Sequence, residues 1–437
     1  MTNDECLSLI SNLIVGIDQK ISQQLSKIIQ HKNFRELEAL WRSLFVLVNT
    51  EYSTSRVKIK VLDISWGEIS KDLNLSYDIK HTSLYYKIYS KELDTAGGFP
   101  YGALAICHRL SNDNNNDDYF TNDFDDIYTT QLLGELGDVC LCQILIGLDE
   151  YFFGDNPDAI LHNQERIQRI VQSQDFIAWQ NLRKNKSSRF LNIVFPDYLV
   201  RKPYENYFSK FVFNETLTGA CEGLWGNAVF LLVSNIIREF SRISWFGFLR
   251  AYDENGEHGA VVKLPKPLRV VPKSNFSVES DNYLSDFGLT VLSNVYLTDF
   301  YGFYSNSSVK YSKNDTEKVI NMMQTNLMSC RFSHYIKVIL RDKVGNYDTP
   351  EDCKKFLDNW ISKYVMNSSF ADESIVSQYP LKNAEIEVFA RKDDATVYDC
   401  EVKIEPQYQY DLSTVSITLL TSARNINHSS FQDRKQP

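Results

Sequence analysis

The chain has 437 residues, of which 43% are hydrophobic, 13% aromatic and 23% charged, and its formal net charge is -10. That length can bury a large core over two or three domains, and the balance is globular rather than disordered. The acidic charge argues against nucleic acid or an anionic membrane as the main partner, and no run reaches the apolar length of a membrane span.

In chain order, residues 4–48 read as two helices. Ile10, Ile14, Ile17, Ile21, Leu25 and Ile28 recur at three- and four-residue steps. Such a narrow apolar stripe suits packing on another helix, in this chain or in a partner subunit. After a break at 31–33 the second helix carries Phe34, Leu37, Leu40, Trp41, Leu44 and Leu47. Alternation predicts a strand over 57–62, and helices follow over 64–73 and 83–93. The turn Gly97-Gly98-Phe99-Pro100-Tyr101-Gly102 lacks the spacing of a phosphate or dinucleotide loop and leads into a strand over 103–107. Residues 112–126 are rich in Asn and Asp without the glycine and terminal glutamate of a calcium loop, so they read as a solvated loop.

Helices are expected over 127–146, 158–174 and 176–184, then a strand over 190–195. Pro196 and Pro203 bracket Leu199 and Arg201. A helix over 222–240 would carry Trp225, Gly226, Asn227 and Ala228, and a buried Asn227 would need partners, since an unpaired amide costs about 1–3 kcal/mol. A strand over 245–250 and a Pro- and Gly-punctuated crossing over 256–272 come next, and α/β texture continues over 282–305. The helix over 316–338 holds Arg331, His334, Tyr335 and Lys337. Thr349-Pro350-Glu351-Asp352 is a sharp helix start, with a threonine cap, proline at the first position and acids on the positive end of the dipole; that helix is expected to run to 365.

Three strand patterns close the chain. Ile386 and Val388 alternate with glutamates; Tyr398, Cys400, Val402 and Ile404 alternate with Asp399, Glu401 and Lys403; Val415, Ile417 and Leu419 alternate with Ser416 and Thr418. A sheet of these alone would expose edges, which chains normally protect or use. Residues 425–437 form a polar tail. The fold class is therefore mixed α/β, with N-terminal helices (1–50), a central α/β domain (51–260), a C-terminal domain ending in strands (261–424) and the tail (425–437).

No catalytic constellation stands out: there is no HExxH, GxSxG, Walker or kinase pattern. His334, between Arg331 and Lys337, has no nucleophile or metal partner nearby and reads better as a satisfied histidine in a helix bundle. The eight cysteines contain no CxxC pair, and Met1 to Glu5 lack the basic start of a signal peptide. Free thiols in a reducing, cytoplasmic setting are expected, with no metal, no cofactor and no enzymatic activity.

The sequence resembles the large subunit of the contractile sheath of type VI secretion systems, the TssC/VipB/IglB family. Carriers are Gly16-Ile17-Asp18, Leu37-Glu38 and Trp41-Arg42, then Gly97-Gly98 and Pro100-Tyr101-Gly102. The densest part comprises Trp179, Leu182-Arg183, Arg201, Pro203-Tyr204, Glu215, Trp225-Gly226-Asn227-Ala228 and Trp245. Leu284-Ser285-Asp286, the run Arg331-Phe332-Ser333-His334-Tyr335-Ile336-Lys337, Trp360 and Tyr364-Val365 complete it.

The resemblance implies a structural polymer without cofactor. Its partners would be a small sheath subunit, copies of itself in stacked rings, an inner tube protein of the Hcp kind and a baseplate. It implies that the C-terminal strands carrying Val402, Ile404, Val415, Ile417 and Leu419 join strands of neighbouring subunits. The helix face Ile14, Ile17, Ile21, Leu25 and Ile28 would pack on the small subunit. Trp41, Arg42, Arg201, Trp225, Asn227, Arg331 and His334 would be structural. Family members usually begin with a segment that a recycling ATPase recognises; this sequence starts downstream of it, so recycling through this subunit is not an expectation the resemblance carries. A non-polymerising scaffold with the same fold is the alternative.

Overall fold

A computed structural model describes residues 3–50, 56–112, 125–205, 213–215, 223–252, 255–265, 268–295, 297–342, 349–366, 379–390, 397–407 and 416–424. Two helices open the chain, α1 (Asn3–Ile29) and α2 (Lys32–Val48), broken where the sequence predicts. α3 (Trp66–Leu75) starts on a capping box between Ser65 and Glu68. α4 (Ser83–Tyr85) runs on as a π-helical stretch, Tyr86–Leu93.

The centre of the molecule is a four-stranded parallel sheet in the order β1 (Ala103–Leu110), β2 (Gln143–Leu148), β3 (Leu191–Phe195) and β7 (Leu289–Val291). Between β1 and β2 lies α5 (Asp126–Cys140), and between β2 and β3 lie α6 (Pro157–Leu161), α7 (Gln164–Val171) and α8 (Ile177–Lys184). After β3 come the antiparallel pair β4 (Tyr198–Arg201) and β5 (Leu224–Gly226), then α9 (Val229–Ile243). β6 (Phe276–Ser277) and α10 (Val278–Asp286) precede β7; β8 (Ser293–Asn294) and β9 (Tyr301–Gly302) follow it and join β6 in a small sheet.

Period-two alternation assigns the two faces of the parallel sheet. Ile144, Ile146, Ile193 and Phe195 pack with Leu133 and Leu136 of α5 in one core cluster. Leu145 and Val194 point the other way, into a second cluster with Leu231, Leu232 and Phe240 of α9. That second cluster continues through α11 (Asp315–Ile320), α12 (Met323–Asp342) and α13 (Pro350–Ile361). It ends on the inner face of an antiparallel meander, β10 (Leu381–Ala390), β11 (Val397–Pro406) and β12 (Ile417–Arg424).

Several expectations need correcting. The helix expected over 127–146 stops at Cys140; Leu141 turns the chain in the left-handed region at φ 55°, and 143–148 is the central strand β2. Being buried on both faces, β2 carries no alternation to separate it from a helix. The helix expected over 222–240 divides into β5 and α9, with Asn227 between them. The helix over 158–174 breaks before Asn163, whose side chain accepts from Arg166 N and caps α7. That over 316–338 splits into α11 and α12, and α13 gives way to a 3-10 turn at Ser362–Tyr364.

Neither 57–62 nor 245–250 is a strand. In the first, Val57 and Ile59 do turn inward against Leu47, Phe230 and Ile237, but the segment joins no ladder among the described residues. In the second, Trp245, Phe246 and Leu249 are buried on successive turns rather than on alternate residues. Most of the Asn/Asp-rich loop (113–124), Val415 and the tail 425–437 lie outside the described residues.

Candidate assembly interfaces

The N-terminal stripe is not used by the chain's own core. Ile14, Ile17, Ile21 and Ile28 are exposed, Ile17 to 56%, and Leu25 is half-buried. Within α1 the buried residues are Ser22, Ser26 and Ile29, all in the last two turns. On α2, Ala39, Ser43, Val46 and Leu47 face inward, while Leu37, Leu40, Trp41 and Phe45 stay exposed, Trp41 to 63%. The hairpin thus leaves large apolar side chains of both helices exposed.

An ionic cluster fastens this hairpin to the body. Arg201, at the end of β4, grips Glu38 of α2 with two parallel bonds, Nε to Oε1 at 2.8 Å and Nη2 to Oε2 at 3.0 Å. Its Nη1 donates to Glu215 Oε2 at 2.6 Å, and its guanidinium stacks 4.1 Å from the Tyr204 ring centre. Arg42 donates to Glu38 at 2.8 Å and to the Tyr204 hydroxyl at 2.7 Å. Gln30 donates to Glu215 and accepts from Arg35 Nη1 at 2.7 Å. Burial opposes ionisation of Glu38 and Glu215, but the Arg201 hydrogen bonds outweigh it and hold both carboxyls below their ordinary values. Burial likewise opposes the Arg201 charge, and the two carboxylates hold its pKa above the ordinary value. Glu38 and Glu215, singled out in the sequence only as residues carrying the resemblance, complete a site in which Arg42 and Arg201 alone were expected to be structural; the local signal was the i,i+4 pair Glu38–Arg42.

Asn227 has the partners its burial demands. The ladder between β1 and β2 is irregular between Ile106 and Arg109, and Asn227 Nδ2 donates to His108 O there at 3.2 Å. Its Oδ1 accepts from Val229 N at 3.0 Å at the start of α9, and any side chain at Gly147 would collide with it. One amide therefore ties the sheet to the helix above it. Trp225 is half-buried on β5, where it pairs with Leu199.

His334 is buried on α12, with Nε2 3.1 Å from Cys140 O; burial pushes its pKa down to about 4. A neutral imidazole bonded to a main-chain carbonyl holds α12 against the end of α5. Among the described residues no group of three or more His, Cys, Asp or Glu side chains could hold a metal ion, and no helix is long and apolar enough to cross a membrane.

At the C-terminus, Val402 and Ile404 are fully buried and Ile417 nearly so, all facing α12 and α13 of their own chain, with Leu419 half-buried beside them. β11 lies between β10 and β12, pairing Ile386 with Val402 and Val402 with Leu419. The strands carrying the expected shared residues are thus one sheet with the strand carrying Ile386 and Val388. Its edges are β10, which Val365 and Met366 meet only at Leu381, and β12, whose outer side has no strand beside it among the described residues.

Residues 11–310 match the family model described as EvpB/VC_A0108, tail sheath N-terminal domain, and residues 312–423 match that described as EvpB/VC_A0108, tail sheath gpW/gp25-like domain. The type VI secretion system sheath protein TssC1 of Pseudomonas aeruginosa is 26% identical over 454 residues, covering 96% of this chain and 87% of that one. A sheath tail protein of Desulfitobacterium hafniense overlaps 68% of this chain and 61% of its own, at 9% identity and a TM-score of 0.33, too low a likeness to build on. With the two models together spanning nearly the whole chain, the chain belongs to the TssC/VipB family of type VI secretion sheath proteins.

Proposed function

We propose that the chain is the large subunit of a contractile sheath, co-assembling with a small sheath subunit and with copies of itself into a helical tube. The tube surrounds an inner tube protein, starts on a baseplate and contracts to drive the inner tube outward. The observation that carries this reading is the apolar stripe of α1, a helix whose first 19 residues bury no described side chain in their own chain. A stripe of isoleucines at Ile14, Ile17 and Ile21 left in water costs free energy that a partner helix would recover, about 25 cal/mol per Å² covered. The edge of β12 supports it: strand addition would satisfy its outward N–H and C=O groups at about 0.5–1.5 kcal/mol net each.

Co-expression with the small sheath subunit should give tubes by electron microscopy; two soluble chains that never associate would remove the proposal. The double substitution Ile17→Ser, Ile21→Ser should leave the melting of the isolated chain within about 0.5 kcal/mol of wild type, because both side chains are already exposed. The same variant should fail to retain the small subunit in a pull-down.

A further inference from the structure

Arginines packed against the body of this chain find anionic or carbonyl acceptors. Arg183 Nη2 donates to Asp286 O at 2.5 Å, Arg242 Nη2 to Glu239 at 2.8 Å, Arg250 Nε to Tyr304 O at 2.6 Å and Arg201 to its two glutamates. Arg331 on α12 has no such acceptor among the described residues. Its Nη2 donates to the Tyr335 hydroxyl at 2.5 Å, and its buried Nε has no hydrogen-bond partner. Its guanidinium lies 4.4 Å from the Phe240 ring centre, 4.9 Å from that of Tyr335 and 5.7 Å from that of Trp245. Burial holds its pKa below the ordinary value. Rings offset part of the cost of burying this cation, but a desolvated guanidinium without a carboxylate leaves most of its pairing capacity unused.

The surface around it has the composition of an interface centre. Phe356, Trp360 and Tyr364 follow at four-residue steps along α13 and its 3-10 extension, Phe356 exposed and the other two half-buried. The Trp360 ring centre is 6.0 Å from that of Tyr335, itself on the surface. Arginine, tryptophan and tyrosine together are what binding hot spots are made of.

A complementary surface lies on the same chain. The outward face of the C-terminal sheet exposes Glu385 and Glu387 on β10, with half-exposed Glu401 and exposed Lys403 on β11, the lysine across from Glu385. Glu387 stands directly across from Glu401, a like-charge pair that destabilises an isolated sheet. Leu420, 76% exposed, is the next residue in that row, and Phe389 is exposed on β10, on the same face as Glu387 and next after it. Because the inner face of this sheet packs on α12 and α13, its outer face cannot reach Arg331 of its own chain. A contact between the two patches must therefore join different copies. Two unlike patches meeting head to tail build rings or open helices rather than closed dimers.

We propose that Arg331 and the aromatic patch of α12 and α13 in one copy receive the Glu387–Glu401 face of a second copy, the guanidinium pairing with one of those carboxylates while Leu420 and Phe389 cover the rings. The inference rests on the chain being a polymer subunit.

The test uses Arg331→Lys, prepared with and without nitrogen-15, mixed and co-assembled with the small sheath subunit. A carbodiimide joins an amine to a carboxylate in contact with it, so the new amine at position 331 reports its neighbour. An amide between position 331 and Glu385, Glu387 or Glu401, carrying one labelled and one unlabelled peptide, is expected. Tubes that form without this cross-link overturn the inference and leave the polymer reading standing; wild-type chains that form no tubes remove both. A second arm does not depend on how α12 tolerates lysine: Glu387→Gln, Glu401→Gln on the outward face should melt no lower than wild type and assemble about tenfold less at low salt. Unchanged assembly of that variant also overturns the inference.

Discussion

At the scale of single residues, two buried ionisable side chains respond to acid in opposite directions. Burial pushes the Asp281 carboxyl up to about 7, even though it accepts from Ser305 N at 3.0 Å and Ser305 Oγ at 2.7 Å. The folded chain therefore holds a proton that the unfolded chain releases near pH 4, and this group's contribution falls as pH rises from about 4 to 7. His334, pushed down to about 4, does the reverse: the unfolded chain gains a proton below about 6.5 that the folded chain refuses, so stability falls as pH drops from 6.5 to 4. Across that window each masks the other. Asp281→Asn should unmask the histidine, with unfolding free energy from urea titrations dropping by about 3 kcal/mol between pH 6.5 and 4. A flat profile in that variant would show that His334 is not the source. The histidine's burial agrees with a sequence that sets no nucleophile or metal partner near it. The role of Asp281 was not legible, because nothing local in Val278–Asp286 reveals that a main-chain turn at Ser305 closes over it.

At the scale of elements, the hairpin is fastened by an ionic cluster beside the apolar packing of Leu44 and Leu47 on Phe230 and Ile237. Arg201→Met would leave Glu215 without its cation and Glu38 with Arg42 alone. Breaking a pair this buried costs about 3 kcal/mol at neutral pH. Both carboxyls have depressed folded values, so their contribution is full above the ordinary carboxylate range and is lost as pH falls through those lower folded values. The loss in Arg201→Met should accordingly be large at pH 7 and shrink only as pH falls well below about 4, measured by thermal unfolding; an equal loss at pH 7 and at the most acidic pH where the chain still folds would mean that packing, not charge, gives the effect. Elements with a local signature were legible: Thr349 caps α13 by accepting from Asp352 N, and the strand patterns at 386–388, 398–404 and 417–419 fall within β10, β11 and β12. Elements whose cause is tertiary were not. β2 alternates with nothing because both its faces are buried, and Leu141 ends α5 without the glycine that usually marks such a stop. Across β2, β3 and β7 the side chains of Gln143, Asn192 and Thr290 form a buried chain, Gln143 Nε2 to Asn192 Oδ1 at 2.6 Å and Asn192 Nδ2 to Thr290 Oγ1 at 3.0 Å. Residues this far apart in sequence announce no such link. The signal that would have placed Asn227 was available: an asparagine just before a long apolar run is a helix start.

At the scale of the whole molecule, the C-terminal meander closes its own core and, among the described residues, leaves the outer side of β12 without a neighbouring strand. Hydrogen exchange separates the two roles. Amides of β11, flanked on both sides, should be slow in the isolated chain, whereas the outward amides of β12 should exchange fast alone and slow in assembled tubes. Fast exchange of β12 in tubes would exclude it from a shared sheet. The hairpin has a mechanical side as well. α1 spans about 40 Å at 1.5 Å per residue, yet its buried residues all lie in its last two turns, beside the Gln30–Glu215 contact. A rod clamped at one end is a lever arm. A tilt of about 5° at the clamp would swing the far tip by ~3 Å, on simple helix geometry. On the proposed reading, a partner bound to these isoleucines would travel while the body of the subunit barely turns, with the Arg201 cluster as the pivot.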